Sequence, residues 1–339
     1  MTQAYAPAPL PVPLLQRLEA ELRADAPGAD GVPRELWERS LLGPLREFLA
    51  REGKELRAAL VVSAWEMAGG RTPLPSGAPL LVEVLHAGSL IIDDIQDGSL
   101  VRRGGRSLHL VIGEPLAINA GNWLYFYAEQ LAGKLELGPI AELELRRAVS
   151  RAVLNCHYGQ ALDLSTQIGM LAQRQVPQLV RATTALKTGS LFQLAAEIGA
   201  ICAGAGADAT AALATFGQAL GVGLQMLDDL GGIYCARQCH KGHEDLLNGR
   251  PTWVWAWLAE ELDELSYTRL QHSAREVERR EHHPEALAKT IRELLGNLGR
   301  RRVRAQFTRA LDELEAAVGA SPALRSLEAR LLRLEQSYE

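Results

Sequence analysis

From Leu14 onward apolar residues return every three or four positions almost without a break, while alternating β-branched runs bounded by turns are scarce. A period sustained in this way leaves room for little but helix. The spacing predicts helices over 14–25, 34–51, 55–69, 79–97, 115–136, 140–171, 175–203, 208–232, 246–263, 284–319 with a break, and 322–336. Breakers such as Pro73, Pro75, Gly77, Pro139 and Pro177 fall between these segments, and none opens a long linker of changed composition. One all-α domain over 14–339 is therefore expected, a single helical bundle. Pro7, Pro9, Pro11 and Pro13 mark residues 1–13 as a flexible, extended arm. The stretch 230–244 has weak periodicity and carries Gly231, Gly232, Cys235, Cys239, His240 and Gly242, so a mobile loop is expected there.

Composition narrows the partners. With 47% hydrophobic and 23% charged residues the chain reads as globular, and a formal charge of -5, from 36 basic and 41 acidic residues, disfavours a nucleic-acid partner. No run of about 18 apolar residues occurs, so no membrane-spanning helix is expected. The opening residues have no basic segment before an apolar core, which argues against a secretory leader. Four cysteines are too few for a disulfide framework, and a reduced, cytoplasmic protein is the expectation.

The segment 85–106, LHAGSLIIDDIQDGSLVRRGGR, carries the most chemistry. Asp93 and Asp97 share a helix face, with Asp94 on the same turn. All three stand at a C-terminal helix end closed by Gly98, where the macrodipole disfavours anions unless a cation neutralises them. Clustered hard oxygens suit Mg²⁺, which bridges carboxylates to substrate phosphates. Arg102 and Arg103 follow as phosphate donors. The alternative is a solvated acidic helix end, but apolar Leu90, Ile91 and Ile92 put the cluster at a core edge.

Further segments join this one. Lys54 and Arg57, three apart at a helix start, can face one anion together, although an exposed pair there is also ordinary. Asp228 and Asp229 end a second apolar helix, after Gln225 and before Gly231 and Gly232, echoing the first cluster. Acids offered by two facing helices would make a cage for several Mg²⁺ ions and a diphosphate. Gln160 with Asp163, and Lys187 with Thr188, interrupt otherwise apolar helices; satisfied interhelical hydrogen bonds are the plainer explanation of each.

Taken in order, these residues make the chain similar to the trans-prenyl diphosphate synthases, and most closely to the geranylgeranyl diphosphate synthases of the eukaryotic type. The similarity runs from about Pro33 to Trp257 and is densest over 86–126, with SLIIDDIQD, LVRRGG and AINAGNWLYF. It implies the all-α fold of class I terpenoid synthases around a central cavity, with Asp93, Asp94, Asp97, Asp228 and Asp229 holding three Mg²⁺ ions. Arg102, Lys187, Lys241, Gln160, Asp163 and Arg250 match positions about the allylic diphosphate, and Lys54, Arg57, His86 and Arg103 match the isopentenyl diphosphate pocket. Lys187, Thr188, Gln160, Asp163 and Gln225 match positions beside the allylic diphosphate and the reacting carbons, so that Asp93, Asp94, Lys187, Thr188 and Gln225 are the catalytic residues the resemblance implies, and Asp245 falls where the family has Asp. The implied reaction ionises an allylic diphosphate, adds the isopentenyl double bond and loses a proton. Gly88 and Ser89, a turn above the first aspartate, imply an open tunnel and a C20 product. Homodimerisation is likewise implied by the resemblance.

Three departures matter. Gly232 stands where the second motif has its third acid, Arg250 replaces a lysine, and PTWVWAW (251–257) places Trp253, Trp255 and Trp257 in a stretch usually less aromatic. Packing is the plain reading of those rings; a ring stabilising a carbocation is the sharper one. The latter keeps open a terpene synthase that turns an allylic diphosphate into a hydrocarbon or alcohol, against which the isopentenyl pocket residues weigh. The eroded second motif keeps open a non-catalytic regulatory subunit. Cys235, Cys239 and His240 read as incidental loop residues and His282 with His283 as solvated surface.

Overall fold

The computed structural model describes residues 31–51, 53, 55–235 and 239–338. Within them the chain is helical apart from a small antiparallel hairpin, Val101–Arg102 with Gly105–Arg106. The expected arm over 1–13 and the helix over 14–25 lie outside the described residues. The chain divides into two compact units, Met1–Ala59 with Pro75–Glu142, and Leu60–Leu74 with Leu143–Glu339.

In the first unit the helix Ala78–Asp97 packs along the helix Glu114–Gly133. Leu81, Val84, Leu85 and Ile91 of the one, and Leu124, Ala128 and Leu131 of the other, are almost wholly buried, as their helical spacing requires. The two backbones come close at Gly88: a Cβ there would lie 2.9 Å from the Gly121 carbonyl oxygen and 3.1 Å from Leu124 Cβ. Gly98 ends the first helix at φ 66, in the left-handed conformation that glycine adopts freely. The chain then reverses through Arg103 at φ 50 and Gly104 at φ 74, the tight turn whose twist suits a two-stranded hairpin.

In the second unit Ser190–Ala203 and Ala207–Tyr234 pack along one another, and Leu298–Val318 lies against the latter. Ala207–Tyr234 is long and apolar enough to cross a membrane by length and composition alone. Here its Leu213, Phe216, Leu220, Met226 and Leu227 are core residues.

Several elements depart from the expected helices, among them the short unexpected helix His109–Ile112. The 230–244 segment is not a loop throughout: one helix runs to Tyr234, and a new one, Cys239–Leu247, starts after residues 236–238, which are outside the described set. The helix expected over 246–263 is broken ahead of Pro251, which lacks the amide needed to continue it, and resumes as Trp253–Glu261. The helix expected over 140–171 stops at Leu164. Glu264–Glu278 was not expected at all, although Tyr267, Leu270, Ala274 and Val277 bury one helical face and Asp263 caps it by accepting the Ser266 amide at 3.0 Å. The helix expected over 175–203 is three pieces, with a π turn, Ala185–Gly189, between Val176–Thr184 and Ser190–Ala203.

Candidate active site

The first acidic cluster divides by burial. Asp93 and Asp97 are half-buried, whereas Asp94 is completely enclosed. Burial pushes the Asp94 pKa up, and its ion pair with Arg102 pulls the other way. Arg102 Nε donates to Asp94 Oδ1 at 2.7 Å, and Nη2 contacts the same oxygen. Asp94 therefore ties the hairpin to the helix end.

Beside them is a concentration of positive charge. The His86 imidazole is driven well below its usual pKa, first by burial and then by the guanidinium groups of Arg57, Arg103 and Arg102, so it is neutral near pH 7. Burial also lowers the Arg103 pKa, against the pull of Glu83 and Glu55. The buried Glu83 carboxylate accepts the Ala58 amide at 3.0 Å, fixing the start of the helix Leu56–Met67 that carries Arg57. Three segments of the chain thus bring the Arg57, Arg102 and Arg103 guanidinium groups near one buried imidazole, a cluster suited to an anion with several oxygens. Lys54 lies outside the described residues.

In the second unit the π turn lifts Lys187 and Thr188 out of helical register, as such turns often do at functional sites. Lys187 Nζ pairs with Asp163 Oδ2 at 2.6 Å, and Arg250 donates to the Asp163 carbonyl at 2.6 Å. Gln160 lies half-buried on the same helix, a turn before Asp163. Thr188 donates to Gln225 at 2.8 Å, Gln225 donates to Asp229 Oδ1 at 2.8 Å, and the Trp253 amide donates to Asp229 Oδ2 at 2.9 Å. Burial raises Asp229 to about 6 even so. It raises Asp245 to about 7, with Lys241 opposing and the charges of Asp229 and Asp163 adding to the rise.

A family model described as polyprenyl synthetase matches residues 38–294. The chain belongs to the polyprenyl synthetase family. A geranylgeranyl diphosphate synthase of Methanosarcina mazei is 34% identical over 201 residues, covering 58% of this chain and 59% of that protein. A geranylgeranyl pyrophosphate synthase of the fungus Eremothecium gossypii is 32% identical over 165 residues, covering 48% of this chain and 50% of that protein. The chain thus spans only about half to six tenths of the length of these curated relatives. A polyprenyl synthase from Caulobacter crescentus, solved with calcium and isoprenyl diphosphate, shares the fold with a TM-score of 0.71 at 24% identity, over 92% of this chain and 94% of that one.

Against this family background, the three tryptophans are packing residues. Trp255 and Trp257 are among the most deeply buried side chains, and Trp253 donates its indole N–H to Thr184 at 3.0 Å. Gly232 also has a packing explanation, since a Cβ there would lie 3.1 Å from Gly242 Cα, where the next helix passes. Two residues escaped sequence reasoning. Tyr338, almost at the chain's end, donates its hydroxyl to Asp228 Oδ1, and Arg51 braces the arginine hairpin. Neither sits in a motif, and no periodicity announces a contact across 110 or 51 positions.

Among the described residues no three His, Cys, Asp or Glu side chains gather closely enough to hold an ion alone. Mg²⁺ asks less of the protein, because it is ordinarily held by one or two carboxylates together with water and substrate phosphate. Asp93 with Asp97 on one helix face, and the adjacent Asp228 and Asp229, are donor sets of that kind.

Proposed function

We propose that the protein is a Mg²⁺-dependent trans-prenyltransferase that condenses isopentenyl diphosphate with an allylic diphosphate, giving geranylgeranyl diphosphate. The observation that carries this reading is the cluster of Arg57, Arg102 and Arg103 about the buried His86 ring, joined to the Asp93–Asp97 helix end through the Arg102–Asp94 pair. Cationic groups beyond the one that pairs with the acidic donors are what a second diphosphate substrate requires and what a terpene synthase has no use for. Names of relatives, with the fold shared with a synthase holding isoprenyl diphosphate, support the same class.

In this reading Arg57, Arg103 and neutral His86 orient isopentenyl diphosphate by charge-assisted hydrogen bonds, and Arg102, braced by Asp94, grips the allylic diphosphate. Asp93, Asp94 and Asp97, with Asp228 and Asp229, belong to the metal-binding sets, the half-buried Asp93 and Asp97 being better placed than Asp94. Bound Mg²⁺ supplies neutralisation of the diphosphate charge as the carbon–oxygen bond breaks. Lys187, Thr188 and Gln225 face the allylic substrate with dipoles already fixed by Asp163 and Asp229, so little reorganisation accompanies ionisation. Lys241, Gln160, Asp163 and Arg250 are the remaining allylic-diphosphate residues in this reading, and the departing diphosphate takes the proton. Product length falls to Ser89, because Gly88 is held small by helix packing. The active protein is a homodimer, consistent with the exposed apolar residues Leu154, Tyr158 and Leu162 along one helix.

Incubation with Mg²⁺, labelled isopentenyl diphosphate and C5, C10 or C15 allylic diphosphate tests the assignment. Label recovered in a C20 diphosphate supports it. Hydrocarbon or alcohol formed without isopentenyl diphosphate identifies a terpene synthase, inertness identifies a subunit role, and a longer product overturns the assignment to C20 alone.

A further inference from the structure

Arg51 follows the helix Gly43–Leu49, and its side chain is only 8% exposed. Arginines are rarely so enclosed unless every donor has a partner. Here Nη1 donates to the Arg102 carbonyl at 3.0 Å and Nη2 to the Arg106 carbonyl at 2.9 Å, so one guanidinium bridges both strands of the hairpin. Nε and Nη2 also donate to the Glu47 carboxylate at 2.9 and 2.8 Å, and the guanidinium lies 5.3 Å from the centre of the Phe48 ring. The fit is close: a Cβ on Gly105 would come within 2.9 Å of the Arg51 guanidinium carbon.

The hairpin needs such a brace. Its strands are two residues each, far below what holds together alone in water. Its turn residue Arg103 sits at φ 50, a conformation that costs a residue with a Cβ about 1 kcal/mol or more. Asp94 holds the hairpin through the Arg102 side chain, whereas on the Arg106 side it is the Arg51 guanidinium that takes hold of the backbone carbonyl.

We propose that Arg51 is a positioning residue, clamping the backbone of the 101–106 hairpin so that Arg102 and Arg103 are presented together to a diphosphate. The inference rests on the diphosphate reading of those two arginines and deepens it, for Arg51 touches no substrate itself. Only a planar fork can reach both carbonyls and Glu47 at once, so lysine is not a substitute.

The test is calorimetric titration of inorganic pyrophosphate into the wild-type chain, Arg51→Met, Arg51→Lys and the control Arg46→Met, with thermal unfolding of each. Arg46 lies on the short helix that precedes Arg51 and pairs with Glu38 at 3.0 Å. Pyrophosphate binding should weaken about tenfold or more in both Arg51 variants, as expected when a gripping group loses its place, and remain unchanged in Arg46→Met at comparable stability. Amide hydrogen exchange at 101–106 should quicken in both Arg51 variants. Wild-type affinity in Arg51→Lys or Arg51→Met overturns the proposal. If the wild-type chain itself fails to bind pyrophosphate, the diphosphate reading falls; unchanged exchange at 101–106 then overturns the clamp as well, and quickened exchange upholds it.

Discussion

Replacing Gly242 by alanine should disable the second acidic cluster while sparing the fold. A Cβ at 242 would stand 2.0 Å from the Gly232 carbonyl oxygen and 2.5 Å from its carbonyl carbon, against the 3.4 Å at which ordinary contact begins. The deficit of 1.4 Å (3.4 minus 2.0) faces backbone, which cannot rotate aside, so the helix Cys239–Leu247 must retreat by roughly that distance. Overpacking of this kind costs about 1–3 kcal/mol. The same helix carries Lys241, whose charge acts on Asp229, and Asp245, whose pKa the Asp229 charge helps to raise. A displacement near 1 Å at positioned groups can cost up to about 100-fold in rate, so a 10- to 100-fold fall in kcat is expected with a melting temperature lowered by a few degrees. Steady-state kinetics with Mg²⁺, beside circular-dichroism melts, reads both. Gly206→Ala is the control, since Gly206 has open space around its Cβ position and φ -68. Gly232→Asp, which supplies the acid that the family motif carries, should lower activity as well, because a Cβ there already lies 3.1 Å from Gly242 Cα. Wild-type turnover in Gly242→Ala, or a gain in Gly232→Asp, would refute the reasoning.

Other outcomes follow from the same geometry. Gly88→Ala should lower the melting temperature by parting two helices, whereas Ser89→Phe should keep stability and shorten the product, as chromatography of hydrolysed products would show. Asp229 and Asp245, raised to about 6 and about 7, hold protons more tightly folded than unfolded. The stability they contribute is complete below about pH 4, the unfolded carboxyl range, and is lost as pH rises through 6 and 7. Melts of metal-free protein should therefore show the wild-type advantage over Asp245→Asn shrinking from pH 5 to pH 8. Tyr338→Phe removes the hydroxyl that occupies Asp228 Oδ1 and should lower the Mg²⁺ concentration for half-maximal turnover; an unchanged requirement means the hydroxyl does not compete there.

Much of this was legible in the sequence for physical reasons. Helical periodicity gave the all-α class, and DDIQD followed by RR named the residues that the first unit gathers, because both clusters are local. What escaped was set by contacts. The Glu264–Glu278 helix hides its apolar stripe among charges. The π turn at Lys187 needs Asp163 and Gln225 in place before its displaced side chains have partners. Gly232 looked like erosion of a motif and proved to be clearance for a passing helix, which no one-dimensional spacing expresses. For the tryptophans packing was the plainer reading of an unusually aromatic stretch, and their burial agrees with it.

The most direct measurement is equilibrium binding of isopentenyl diphosphate in excess chelator. Arg57 and Arg103, gathered about His86, carry the positive charge needed to hold that substrate without any ion. Saturable metal-free binding, lost in Arg57→Ala and Arg103→Ala and retained in Asp93→Ala, is the predicted result. Binding that appears only with Mg²⁺, or that survives both arginine substitutions, would contradict the account.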